Sequence, residues 1–266
     1  MSSYRVSGLF CYPVKSCAGI ALKRARVDDF GIVHDREWLI VDVDGKALTQ
    51  RIVPQLCRIQ PSLEYDHLSL AVKRRGTVAV PFQAKGLAER QVEVWSWSGP
   101  ALDEGDEVAH WLGKVLGRPA RLVRRHPQHY RRTPQGNFVG FADAYPFLVV
   151  SQASFDDLRQ RGGAGTAERF RPNVVVDGCA AFAEDLWSEM SAGAVPMRAA
   201  TACSRCVIVD TDQRTGRRSP GNLATLLAYR RNDAGKPIFG RNFCHERGGE
   251  IMVNDRVIAY INGRQA

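Results

Sequence analysis

Cys203 and Cys206, two thiols three positions apart in the stretch ACSRC (202–206), are the residues of this chain whose spacing most directly suggests chemistry. A structural zinc site takes four ligands, usually as two such pairs. The other thiols and imidazoles supply no matching second pair: Cys11 and Cys17 are six apart, and Cys244 adjoins His245. A thioredoxin-like dithiol sits at the first turn of a helix, whose dipole lowers the thiol pKa. Here Cys206 leads into Val207-Ile208-Val209, β-branched residues that predict a strand. Cys203, Cys206 and Cys179 can each also serve simply as a small buried apolar side chain. A fourth chemistry is a single thiolate on a soft metal, such as molybdenum held by a dithiolene cofactor, with Arg205 favouring the charged sulfur of its neighbour Cys206. Such a cofactor carries a phosphate, so this alternative needs basic and hydroxyl side chains elsewhere in the chain.

The elements that must position these groups are mostly short strands. Tyr4 to Tyr12 alternates loosely and ends at Pro13, which predicts a strand running into the loop PVKSCAG. Strands are also expected at Glu37 to Val43, ending in the turn Asp44-Gly45, at Leu68 to Lys73 and Val78 to Phe82 as a hairpin, and at Gln91 to Trp95. Asp103 to Leu116 begins with acids, places Val108, Trp111, Leu112 and Val115 on one side and meets Gly117, which predicts a helix and its stop. Residues 37–118 therefore read as a small α/β unit. Beyond a polar basic loop, HPQHYRRTPQGN, further strands are expected at Phe147 to Val150, Asn173 to Val176, Cys206 to Asp210, Ile251 to Val253 and Val257 to Tyr260. Helices are expected at Ser154 to Gln160 and Leu223 to Arg231. Many short strands with few helices predict a β-barrel.

Composition narrows the class. The chain has 266 residues, 44% of them hydrophobic, enough for one large domain or two closely packed ones. No apolar run approaches the roughly 18 residues of a membrane span. The N-terminal stretch lacks the order of a signal peptide. A cytoplasmic protein with free thiols is the expectation, and seven cysteines without regular spacing agree. The net charge is +9, with 30 arginines and 7 lysines. Arginine suits phosphate and carboxylate. No RNA-recognition signature or zinc-finger spacing accompanies the charge, so no nucleic acid partner is expected.

Six motifs, in order, carry a resemblance: YPVKSCAGI (12–20), HDREWLIVD (34–42), FADAYPFLVVSQAS (141–154), RFRPNVVVDG (169–178), FAEDLW (182–187) and ACSRCVIVDTDQRTG (202–216), with FGRNFCHERGGEIMVNDRV (239–257) behind them. Together they resemble the MOSC-domain family, in its branch of amidoxime-reducing components and related bacterial reductases of N-hydroxylated compounds. The resemblance implies a mixed, β-rich α/β fold: a MOSC β-barrel with an inserted N-terminal α/β subdomain. It divides the chain into an N-terminal region of residues 1–118 and a barrel domain of residues 119–266.

The resemblance also implies a molybdenum–molybdopterin cofactor (Moco) whose metal is ligated by one cysteine, the second of CSRC. That falls on Cys206 and leaves Cys203 without a required role. Lys15 and Ser16 match the cofactor contacts of the family's VKS motif, Arg36 its DR arginine, and Arg171 and Asn173 its RPN motif. Ser204 and Arg205 flank the metal ligand. Asp143 lies in the family's loop near the metal and is a candidate proton relay. Tyr145 stands where relatives often carry a small hydroxyl residue. At family level only, pyridoxal phosphate binding is also associated with the domain.

The expected activity is therefore reduction of the N–O bond of a small N-hydroxylated substrate. No plant-type iron–sulfur spacing occurs, nor a flavin or nicotinamide fingerprint, so electrons are expected from an external ferredoxin-like or cytochrome b5-like carrier with its reductase. The basic loop Arg124, Arg125, Arg131 and Arg132 is a candidate docking surface for an acidic carrier. The rival is a cofactor or sulfur carrier without reductase turnover, as in cofactor-sulfuration proteins of the same family. A zinc-bound structural module is the third alternative.

Overall fold

The computed structural model describes residues 4–266. Its main element is a nine-stranded sheet in the spatial order Ile20–Ala21, Arg5–Cys11, Val174–Asp177, Phe147–Ser151, Ile238–His245, Val195–Ser204, Glu189–Ala192, Val257–Ile261 and Arg264–Gln265. Phe147–Ser151 and Val174–Asp177 run parallel, which demands a crossover, and the helix Gln152–Gln160 lies in it. Ser151 caps that helix through its side chain, accepting from the Ser154 amide at 3.1 Å. The far end of the sheet curls back to the first strand: Arg5 bridges Arg256, and the amides of Val6 and Val257 reach the carbonyls of Asp255 and Tyr4 at 2.9 and 2.8 Å. Inside this curl pack Val6, Leu9, Phe147, Val149, Trp187, Met190, Met197, Phe243 and Ile251.

The second unit is an α/β layer. A four-stranded antiparallel sheet runs Trp38–Val41, Arg121–Arg125, Trp97–Asp103, Glu89–Val94, and a three-stranded meander Gln60–Leu63, His67–Ala71, Thr77–Pro81 stands beside it. The helix Asp106–Leu116 presents Val108, Trp111 and Leu112 to a core with Trp38, Ile40, Leu56, Leu68 and Leu122. Gly117 ends the helix in the left-handed conformation at φ 67°, which glycine adopts without steric cost. No helix among the described residues is long and apolar enough to cross a membrane. The strand-rich architecture, a curled barrel sheet beside an α/β subdomain, is the fold expected from the sequence.

One local expectation is overturned. Val207–Asp210 is a 3₁₀ turn rather than a strand, and the strand lies before the cysteine pair, at Val195–Ser204. β-Branched propensity yields here to tertiary packing, since the turn buries Val209 and Asp210 while the Asn222 amide donates to the Val209 carbonyl at 2.6 Å. The segment HPQHYRRTPQGN (126–137) is loop as expected apart from one two-residue strand, but its arginines and the two before it are held in strands. Arg124 and Arg125 belong to the strand Arg121–Arg125, and Arg131 and Arg132 to a short ladder with Phe138–Val139.

Candidate cofactor site

A cavity of about 350 Å³ opens where the barrel sheet meets the α/β unit, and all ten site residues expected from the sequence line it: Lys15, Ser16, Arg36, Asp143, Tyr145, Arg171, Asn173, Ser204, Arg205 and Cys206. Ser16, Arg36, Trp95 and Arg171 are non-glycine residues held at positive φ (68°, 49°, 56° and 58°), and all four line this cavity. Such strained backbone persists only where surrounding contacts enforce it, and it concentrates at ligand sites.

Those contacts are visible on the basic side. The Arg36 and Arg171 guanidinium groups each lie 4.3 Å from the centroid of the buried Tyr12 ring, whose hydroxyl donates to the Pro172 carbonyl at 3.0 Å. Arg36 pairs with Asp35 and donates to Asn173 Oδ1 at 3.1 Å, and Arg171 donates to the Cys17 carbonyl at 2.7 Å. Asn173 is committed internally: its Oδ1 also accepts from the Leu148 amide at 3.2 Å, and its Nδ2 donates to the Phe10 carbonyl at 3.3 Å. It holds Arg36 and the strand ends in place. Burial pulls the Arg171 guanidinium below its usual value. Arg36 is raised, because Asp35 and its other neighbours outweigh the cost of burial.

Lys15 and Asp143 form an ion pair, and the Lys15 ammonium also donates to the Phe141 carbonyl at 2.7 Å. Side-chain exposures are 6% for Lys15 and 66% for Asp143, so the ammonium is enclosed while the carboxylate faces the open cavity. Both groups shift downward. Burial lowers Lys15, with Arg131 and Arg36 opposing the benefit of Asp143. Burial in the pocket walls pushes the Asp143 carboxyl up, but Lys15, Arg51 and Arg36 together hold it well below the usual carboxylate range. Asp143 faces three cations and Lys15 only one anion, which is why the pairing favours the charge on the acid more than that on the base. Asp143 is thus an anion at neutral pH, a hydrogen-bond acceptor and a poor proton donor.

On the opposite wall the sheet delivers the cysteines. The strand Val195–Ser204 shifts register against Ile238–His245 between Ala199 and Ala202 and again between Ala202 and Ser204, irregularities of the kind that re-aim a strand end. Cys206 then caps the 3₁₀ turn and lines the cavity. The sequence placed Arg205 as its electrostatic partner. Instead, Arg205 turns to Cys203, donating to its sulfur at 2.9 Å and to the Phe170 carbonyl at 2.5 Å. The cation beside Cys206 is Arg51, whose Nε lies 3.5 Å from the sulfur. Arg51 is in turn held 4.1 Å above the Trp95 ring, and the Trp95 indole reaches Asp143 Oδ1 at 3.3 Å.

Sequence reasoning missed Arg51, Trp95 and Tyr12. Arg51 sits in a turn with no motif around it. Tyr12 lies inside YPVKSCAGI but has no polar signature of its own. Trp95 did carry a signal, an aromatic at the tip of the hairpin VWSW. Its 48% exposure in the folded chain is unusual for an indole with only structural work. Among the described residues no group of three or more His, Cys, Asp or Glu is placed to hold a metal ion by itself.

The barrel sheet and the α/β layer thus share one cation-walled cavity that both Cys203 and Cys206 line, with Arg51 beside Cys206. Residues 3–119 match the MOSC N-terminal beta barrel domain and residues 137–258 the MOSC domain, and the chain belongs to the MOSC family. Among curated relatives, it is 32% identical to mitochondrial amidoxime-reducing component 1 of Homo sapiens, over 95% of this chain and 82% of that protein. The mitochondrial amidoxime reducing component 2 of Rattus norvegicus is 32% identical over 97% of this chain and 83% of its own. Molybdenum cofactor sulfurase of Drosophila grimshawi is 38% identical over 87% of this chain, which spans 31% of that longer protein.

Proposed function

We propose that this protein is a molybdenum-cofactor-dependent reductase of small N-hydroxylated compounds that draws its electrons from an external carrier. The observation carrying this reading is the convergence on one cavity of the Cys206 sulfur, five basic side chains (Lys15, Arg36, Arg51, Arg171 and Arg205) and one carboxylate, Asp143. The donor set fits a phosphate-bearing dithiolene cofactor. It couples one soft ligand to a strong cationic excess, and Arg205 Nε is buried without a protein partner. Lys15, Ser16, Arg36, Arg171, Ser204 and Arg205 would hold the phosphate and pterin, with Asn173 and Tyr12 fixing the two arginines. Tyr145 would border the same space, and Cys206 would ligate the metal. When bound, such a cofactor supplies two-electron abstraction of oxygen.

The chain's own residues then bind and orient substrate. The exposed Asp143 carboxylate accepts a hydrogen bond from the substrate N–OH, and Trp95 walls one side of the pocket from water. A hydroxylamine takes up two electrons and two protons and leaves as an amine and water. The protons come from solvent at the open mouth, since Asp143 stays ionised. The test is metal and pterin analysis of protein made in a cofactor-competent host, with turnover of a hydroxylamine and an amidoxime by reduced methyl viologen. Molybdenum near one per chain with substrate consumption supports the reading. A molybdenum-loaded protein that turns over neither substrate leaves the cofactor or sulfur carrier, the second reading, which the identity to the sulfurase favours.

A further inference from the structure

A reductase of the proposed kind takes electrons from a carrier, and one face of the cavity mouth has the character of a protein docking surface. Trp95, 48% exposed, lines the mouth under the Arg51 guanidinium, and Ile52, the next residue after Arg51 in the chain, is 66% exposed. The loop 211–221 of the barrel domain folds over this edge. Gln50 and Gln213 exchange side-chain hydrogen bonds at 2.9 Å, and Arg218 donates to the carbonyls of Gln50 and Arg51 at 3.3 and 2.5 Å. Gly216, at φ 76°, packs on the backbone of Pro54 and Gln55, a position where a side chain would be strained. The loop is therefore fixed. It leaves Arg214 and Arg217 exposed beside Arg218, and these two make no ion pair among the described residues. The loop's own acid is internally engaged: Asp212 accepts from the amides of Arg214 and Thr215 and pairs with Arg169 at 3.5 Å.

We infer that this face, the arginines of loop 211–221 around Ile52 and Trp95, is the docking surface for a small acidic one-electron carrier. The inference rests on the reductase reading and replaces the surface expected from the sequence. Arg124 is buried against Glu104 and the carbonyls of Pro81 and Phe82. Arg131 is spent on the carbonyls of Ala142 and Asp143. Exposed apolar side chains beside exposed arginines suit a transient redox partner, which needs fast encounter and fast release. Electrons arriving here enter beside Arg51, whose Nε is 3.5 Å from the Cys206 sulfur.

The experiment reverses the charge at Arg214 and Arg217 together (R214E/R217E), with Arg132→Glu as the control on the other basic segment. Binding of two acidic probes, a plant-type ferredoxin and the soluble domain of cytochrome b5, is measured by calorimetry at low ionic strength on cofactor-free and loaded protein. Turnover is measured with each reduced carrier and with reduced methyl viologen. The double variant should bind the preferred carrier on the order of tenfold or more weakly and lose most of the salt dependence of the wild type. Arg132→Glu should bind normally, and viologen turnover should be unchanged in both. Equal weakening by Arg132→Glu, undiminished binding by the double variant, or no binding of either probe by the wild type overturns the surface. Normal carrier binding by a protein inert with viologen leaves the surface standing and overturns the reductase reading.

Discussion

Cys203 and Cys206 look equivalent in the sequence and are not equivalent in the fold. Both line the cavity, but the Cys203 sulfur accepts from Arg205 at 2.9 Å, whereas the Cys206 sulfur lies 3.5 Å from Arg51 Nε. Cys206→Ser should therefore lose molybdenum on purification, while Cys203→Ser, whose hydroxyl can accept the same hydrogen bond, should keep nearly all of it; metal analysis of both decides. Lys15 and Arg171 separate in a similar way. Lys15→Met removes one charge-assisted bond to an anionic cofactor, worth about 1.5–3 kcal/mol, so pterin retention should fall by about tenfold to a hundredfold. Its melting temperature should barely move, because Asp143 is 66% exposed and is not stranded as a buried charge. Arg171→Ala also forfeits the bond to the Cys17 carbonyl and the stack on Tyr12, so it should lower the melting temperature as well as retention. Ten cavity residues were legible because each lies in a contiguous motif. Arg51 and Trp95 were not, because only the tertiary fold carries them to the sulfur, from turns separated from Cys206 by more than a hundred residues.

At the scale of elements, local chemistry was legible where it acts alone. The helix Asp106–Leu116 ends at Gly117 as its signals predict, but it starts at Asp106, three residues later than expected, because Asp103 closes the strand Trp97–Asp103. The turn at Gly45 was equally plain, and it now has a packing reason: at φ 80° an added Cβ would overlap the Gln91 carbonyl of the strand that leads to Trp95. Gly45→Ala should destabilise by about 2 kcal/mol or more, read as a lowered denaturant midpoint. The strand Val195–Ser204 was illegible, since its alanines are partly exposed at a bulged end and give no alternation. Neighbouring Ile238–His245 ends on a buried histidine whose Nδ1 lacks a partner and whose pKa burial lowers from 6.5. Below about pH 6.5 the unfolded chain takes up a proton there that the folded one refuses. Stability should fall as pH drops from 7.5 toward the lowered value and flatten beneath it. His245→Asn should remove that part of the slope in urea titrations.

At the scale of the whole molecule, the cavity belongs to neither unit alone. Arg51 and Trp95 come from the α/β side and Cys206 from the barrel, joined across the seam by the Gln50–Gln213 pair. A ligand that binds only the assembled form stabilises both units together. Cofactor-loaded protein should therefore melt higher and in a single transition, while cofactor-free protein should show a broader or split one by calorimetry. The barrel itself closes by the meeting of Arg5 with Arg256. During synthesis at about 5–20 residues per second, the first strand waits about 10–50 s for that partner. Its neighbour Val174–Asp177 also arrives late, so until then the strand Arg5–Cys11 has only the two-residue strand Ile20–Ala21 beside it and its other edge is open. That edge stays open to non-native pairing until the later barrel strands follow it out.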